Sequence, residues 1–296
     1  MNKFYIKIVL FLLTISLYVN NKTLAIEPDP GENATSESAR HNLTSEEIYE
    51  KNKHLLCTDP KETIKAGEVM KEAVKHLEYH ATSIDDYKLF GIDIFNMQYF
   101  YKKKDRGYID VRKVKICHLY KYNEIINMLW NPDRQIFFIS DFVKIVRVYN
   151  PNLVMIQQRY GGSSMNCQKY FYALSAKFEV SENKTILVMA SADINDHNPS
   201  NKKYKNEIVN SANLFKTDID SEDDIRKGKL KKTFVNLIGY LIEKIGSYSY
   251  ITFIESVSDT YIESVSDTYI ESASCHAPIF LKRMIRKTLC CFLPHK

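Results

Sequence analysis

Residues 169–194, KYFYALSAKFEVSENKTILVMASADI, constrain this chain more than any other stretch. Tyr170, Tyr172, Leu174, Ala176, Phe178 and Val180 recur at every second position, the period at which the side chains of a strand return to one face. After the turn signal SENK the alternation resumes with Ile186, Val188, Ala190, Ala192 and Ile194, so the pair reads as a hairpin with one broad apolar and aromatic face. A face of that size must be covered. It belongs either to an ordinary core or to the wall of a cavity that holds something greasy.

More strands surround this hairpin. FVKIVRVY and LVMIQQRY flank the turn signal Asn150-Pro151-Asn152, and LKKTFVNLIGYLIEK and SYSYITFIES form a further pair. Earlier, YKLFGIDIF, MQYFYKK and YIDVRKVKICH read as short antiparallel strands broken at Gly91 and at KKKDRG. Two helices are interspersed. The first is capped by Asp59, starts at Pro60, and carries Ile64, Val69, Met70, Ala73, Val74, Leu77 and Ala81 at helical spacing. The second, in KYNEIINMLWNPD, presents Ile125, Ile126, Leu129 and Trp130 and stops at Asn131-Pro132. A loop-rich, partly helical insert, NDHNPSNKKYKNEIVNSANLFKTDIDSEDD, separates the middle strands from the last pair. The order helix, strands, helix, many strands predicts an α+β domain over residues 58–293.

The ends of the chain read differently. Lys3 and Lys7 precede an apolar run, and residues 1–25 have the pattern of a secretory signal peptide. Residues 26–57 read as a polar, disordered linker with sequons at Asn33 and Asn42. Near the other end the octapeptide ESVSDTYI occurs twice in succession, and residues 255–274 read as a surface loop. Residues 278–293 follow as an amphipathic helix, in which Leu281, Met284, Ile285 and Leu289 oppose Lys282, Arg283, Arg286 and Lys287. That helix either closes over the sheet or lies on a membrane surface.

The chain lacks the common catalytic and metal-binding signatures. It contains no Walker loop, dinucleotide fingerprint, H-E-x-x-H or G-x-S-x-G, and YGGSSM around Ser163 is only superficially a nucleophile elbow. The six cysteines include no C-x-x-C, and no disulfide is assigned. His76 and His80 lie one turn apart without a third ligand at a recognisable spacing, so they read as solvated or packed side chains. The acidic run from Asp218 to Asp224 has Asp223 where a calcium loop needs glycine and Lys229 where it needs glutamate, and it reads as a solvated loop. Cys167 with His118 or His197 has no supporting spacing as a thiol–imidazole pair. The net charge of +5 falls to +2 without Lys3, Lys7 and Lys22 of the leader, which gives no argument for nucleic acid. The expectation is a binding protein, with no enzymatic activity, cofactor or metal. A hydrolase with an unrecognised site stays open as a further reading.

The segments KYNEIINMLWNPD, VKIVRVYNPNLVMIQQRY, KYFYALSAKFEVSENKTILVMASADINDHNPSN and DSEDDIRKGKLKKTFVNLIGYLIEKIGSYSYITFIES resemble the fam-a proteins of malaria parasites. Their domain is similar to START lipid-transfer domains. The resemblance implies a helix-grip fold: a curved antiparallel sheet wrapped around a C-terminal helix and enclosing a hydrophobic cavity, with the helix at residues 278–293 as its lid. The implied function is binding and transfer of a phospholipid, phosphatidylcholine above all, with transient membrane contact, secretion, and export to the host red cell or the parasitophorous vacuole. On that reading Trp130, Tyr170, Tyr172, Phe178 and Tyr240 line the ligand site, aromatic rings hold the choline, and Arg159 and Asp193 stand at the polar end. Plain core packing explains the same aromatic positions equally well. A secreted antigen or interaction protein with a vestigial cavity is the competing function.

Overall fold

Thr44 caps the first described helix with a capping box. Its backbone N–H donates to Glu47 Oε2 at 2.7 Å, and the Glu47 N–H donates to Thr44 Oγ1 at 3.2 Å. These bonds start helix α1 (Ser45–Lys51), which buries Ile48 and Tyr49. The computed structural model of the chain describes residues 43–83, 87–92, 98–102, 111–118, 121–132, 142–160, 168–200 and 203–258. The leader, the linker up to residue 42, the repeat from residue 259 onward and the C-terminal helix lie outside the described residues. Within the span read as linker, residues 43–57 are therefore folded, with α1 followed by a 3-10 turn at Lys53–Leu55. The signal Thr44-x-x-Glu47 was present in the sequence, but a seven-residue helix with two buried apolar side chains leaves little periodicity to read.

Helix α2 (Pro60–Thr82) begins where Asp59 accepts the Lys61 N–H at 2.8 Å, with proline in the first turn. It buries Ala66, Val69, Met70, Ala73, Val74, Leu77 and Ala81. Ile64, counted into the same stripe, is 62% exposed. At 3.6 residues per turn it lies about 120° around the helix from Met70, which takes it off the buried face.

The strands are β1 (Lys88–Ile92), β2 (Gln98–Lys102), β3 (Val111–His118), β4 (Phe142–Asn150), β5 (Leu153–Tyr160), β6 (Lys169–Ser181), β7 (Lys184–Ala190), β8 (Asp193–Asn195), β9 (Lys216–Asp218), β10 (Lys231–Lys232), β11 (Phe234–Ile245) and β12 (Tyr248–Ser258). Helix α3 (Tyr122–Trp130) stands between β3 and β4, and the single turn α4 (Asp223–Arg226) follows β9. The main sheet runs β1-β2-β3-β12-β11-β7-β6-β5-β4, all pairs antiparallel, with β10 parallel beside β6. β8 and β9 form a separate parallel pair. β12 carries the first four residues of the repeat as strand, since Phe234 pairs with Ser258.

This architecture answers the question raised by the hairpin. Tyr170, Tyr172, Leu174 and Ala176 on β6, with Ile186, Val188 and Ala190 on β7, pack in one cluster with α2. The intervening Phe171, Ala173, Leu187 and Met189 are buried in a second cluster on the opposite face, with α1 and α3. The central strands are thus covered on both sides, and alternation reveals only one of the two faces.

α2 seats Leu77 against Gly239 of β11. A methyl group there would come within 2.2 Å of the Leu187 carbonyl oxygen and 2.4 Å of Leu77 Cδ1 of α2. Backbone cannot yield as a flexible side chain does. Among the described residues no helix is long and apolar enough to cross a membrane. Replacing Gly239 by alanine is expected to destabilise the domain by about 1–3 kcal/mol, the usual range for overpacking. Thermal denaturation of the two proteins measures this, and an unchanged melting temperature would contradict the close approach.

Candidate functional site

α3 builds the second cover. Ile125 and Leu129 are fully buried beneath it, and the Tyr122 hydroxyl donates to Thr185 Oγ1 of β7 at 2.8 Å. The helix ends at Asn131, whose N–H donates to the Asn127 carbonyl, and Pro132 follows. Between α1, α3 and the sheet lies a small apolar cavity of about 30 Å³, with Ile48, Leu129, Trp130, Ile156, Met189 and Tyr240 in its wall. That volume has room for about two water molecules.

Among the described residues, no side chain in the wall of this cavity carries a charge. Burial, with a further contribution from Glu255, pushes the Tyr240 phenol above its usual range, so it stays neutral. Its ring tilts against Phe253 with centroids 4.9 Å apart. Trp130 is 9% exposed, and among the described residues its buried indole Nε1–H has no hydrogen-bond acceptor. A donor in that state is uncommon in folded proteins and carries a free-energy cost.

The residues named from the sequence separate in space. Trp130 and Tyr240 meet at the apolar cavity. Tyr170, Tyr172 and Phe178 lie on the opposite face of the sheet, in the cluster packed with α2. There the Tyr170 hydroxyl donates to Asp196 Oδ2 at 2.9 Å, and the Tyr172 hydroxyl accepts from Gln157 Nε2 at 2.6 Å. Tyr172 and Asp193 also line a second, more polar depression of about 420 Å³ together with Lys203, Tyr204, Lys205 and Lys232. Asp193 is exposed, 3.8 Å from Lys216 Nζ. Leu281, Met284, Ile285 and Leu289 of the lid lie outside the described residues. The strand period placed Tyr170, Tyr172 and Phe178 correctly on one face but could not say which element covers it. Ile48, Ile156 and Met189 were not singled out, because Ile48 sits in the supposed linker and the other two occupy the second phase of their strands.

Arg159 is tied into an ion-pair network. It holds Asp224 with two bonds of 2.5 and 3.1 Å and lies 3.3 Å from Glu222 Oε2. The acidic run is exposed at Asp218, Asp220 and Asp223 and partly buried at Glu222 and Asp224, and its carboxylates have basic partners. His197 meets Asp218 at 3.0 Å, Arg226 binds Asp220, and Lys227 binds Asp223 at 2.6 Å. His76 pairs with Glu72 at 3.5 Å and His80 Nδ1 shares a hydrogen bond with the Tyr87 hydroxyl at 2.8 Å. Among the described residues no three acidic, histidine or cysteine side chains converge as a metal site.

Glu222 is central to the network. Partial burial pushes its carboxyl upward, but hydrogen bonds from Lys144 and Gln157 outweigh this and hold it down at about 2, against an ordinary value of 4.5. A depressed carboxyl stabilises the fold above about pH 4.5, and the contribution disappears as the pH falls from about 4.5 toward 2. The side chain is 37% exposed, so solvent screening limits the effect to about 1 kcal/mol. Glu222→Gln should therefore melt lower than the parent at pH 7 and converge with it near pH 2. Melting curves across that range provide the check, and parallel curves would refute it.

No family model matches the chain, and no curated protein matches it. Solved structures do. Human StAR-related lipid transfer protein 5 is similar at TM-score 0.51 and 8% identity, over 76% of this chain and 98% of that one. Human STARD10 gives TM-score 0.48 and 12% identity over 73% and 78%. At such identity the first likeness concerns the fold alone. The fold is START-like: an α+β domain with a curved antiparallel sheet that does not close into a barrel.

Proposed function

We propose that this chain is a non-enzymatic lipid carrier that holds its ligand between α3 and the sheet. The observation that carries the reading is the uncharged cavity at Trp130 and Tyr240 within a START-like fold. Apolar walls with a few polar groups are the usual lining of small-molecule sites. The cavity of about 30 Å³ is far below the several hundred Å³ that a two-chain lipid requires, so loading demands that α1 and α3 part from the sheet.

Phosphatidylcholine is the cargo proposed. The resemblance to fam-a proteins supports this choice, and the rings of Trp130 and Tyr240 give the cavity an aromatic, uncharged wall suited to the neutral part of such a lipid. Arg159 is committed to Asp224 and Glu222, so the phosphate must be met elsewhere or by water at the mouth. The resemblance to fam-a proteins and the pattern of residues 1–25 support secretion and export to the host red cell as part of the same proposal. The competing reading, an interaction protein with a closed fold, draws its support from the small cavity volume.

Transfer of labelled phosphatidylcholine between vesicles by the purified full chain tests the proposal. Transfer is expected, together with phospholipid retained in native mass spectrometry. Met189→Phe, which adds bulk to the cavity wall, should slow transfer about tenfold. Absence of both retained lipid and transfer would leave the interaction protein as the better reading.

A further inference from the structure

We infer that the cavity receives the ester region of the lipid, with a carbonyl oxygen accepting the hydrogen bond that the Trp130 indole offers. This inference rests on the carrier reading and says which part of the ligand reaches the cavity. Trp130 lines the cavity, and among the described residues its buried Nε1–H has no acceptor, so the site is short of one oxygen. Three kinds of oxygen could fill that place. An ionised phosphate or carboxylate would enter a wall that carries no counter-charge, which is strongly unfavourable. A water at that place would have the hydroxyls of Ser175 and Tyr240 as further partners, and an entering carbonyl replaces it while keeping the Trp130 bond. An ester carbonyl is neutral, accepts strongly and continues directly into hydrocarbon. It matches one donor set among Leu129, Ile156 and Met189.

The chain has a single tryptophan, so its fluorescence reports this contact without interference. Delipidated full-length protein is titrated with dioleoyl phosphatidylcholine and with the dialkyl ether analogue of the same headgroup and chain length. The ester lipid is expected to bind about three- to tenfold more tightly, the range of one net hydrogen bond, and to shift the Trp130 emission. Trp130→Phe, followed by displacement of a labelled phosphatidylcholine, should bind both lipids equally, because the ring remains and the donor is gone. Equal affinity of the parent protein for the two lipids overturns the inference while leaving the carrier reading intact. Binding of neither lipid overturns the carrier reading itself. Should Trp130→Phe fail to fold, the ester and ether comparison on the parent protein still decides.

Discussion

Burial of the central strands on both faces is the constraint from which the rest of this structure follows. Tyr170 and Leu174 look toward α2 while Phe171 and Ala173, their immediate neighbours, look toward α1 and α3. A sheet of this kind has no solvent face to spare, so each side needs its own cover. The α2 side is closed by a 23-residue helix pressed onto Gly239, where the absence of a side chain lets Leu77 meet the backbone of β7. The other side is closed by α1 and α3, of seven and nine residues. A long, closely seated cover thus stands opposite two short ones, and the apolar cavity at Trp130 lies beneath the short ones.

Polar groups reinforce that asymmetry. On the α2 side, Glu62 accepts from Arg147 and Tyr149, each at 2.7 Å, and Glu72 accepts the backbone N–H groups of Asn210 and Ser211 at 2.8 and 2.9 Å. Lys184 reaches Glu78 at 2.8 Å. These charge-assisted bonds, partly buried or exposed, tie α2 to β4, to the insert and to β7. Asp196, 3% exposed, is held by Tyr170 and by Lys232 Nζ at 2.8 Å. The insert that looked like loop in the sequence is therefore fixed by long-range bonds rather than by its own secondary structure.

How legible this was depends on the range over which each signal acts. Pro60, Asp59 and the stripe from Val69 to Ala81 are local, and α2 was read almost to the residue. The hairpins at Pro151 and at Glu182 were likewise local. Arg159 was not legible, because its partner Asp224 lies 65 residues away and nothing in either neighbourhood points to the other. The same holds for the division of the aromatic residues. A period of two says that Tyr170 and Tyr172 share a face, yet Phe171 between them is just as buried. Only the topology, which brings α2 to one side and α3 to the other, decides which of these rings face a cavity.

That decision also says which cover can move. Opening the α2 side would break the Glu62, Glu72 and Glu78 contacts together. Opening the other side exposes apolar surface on two short helices and releases the Tyr122 to Thr185 bond, a contact between two neutral hydroxyls. Exposed apolar area costs about 25 cal/mol per Å², and an entering hydrocarbon chain would cover that area again. Charges once separated find no such replacement in a hydrocarbon ligand. A greasy guest is therefore matched to the side held by dispersion and burial. The Trp130 indole, standing on that side with its N–H unmet, is where such a guest would find its polar contact.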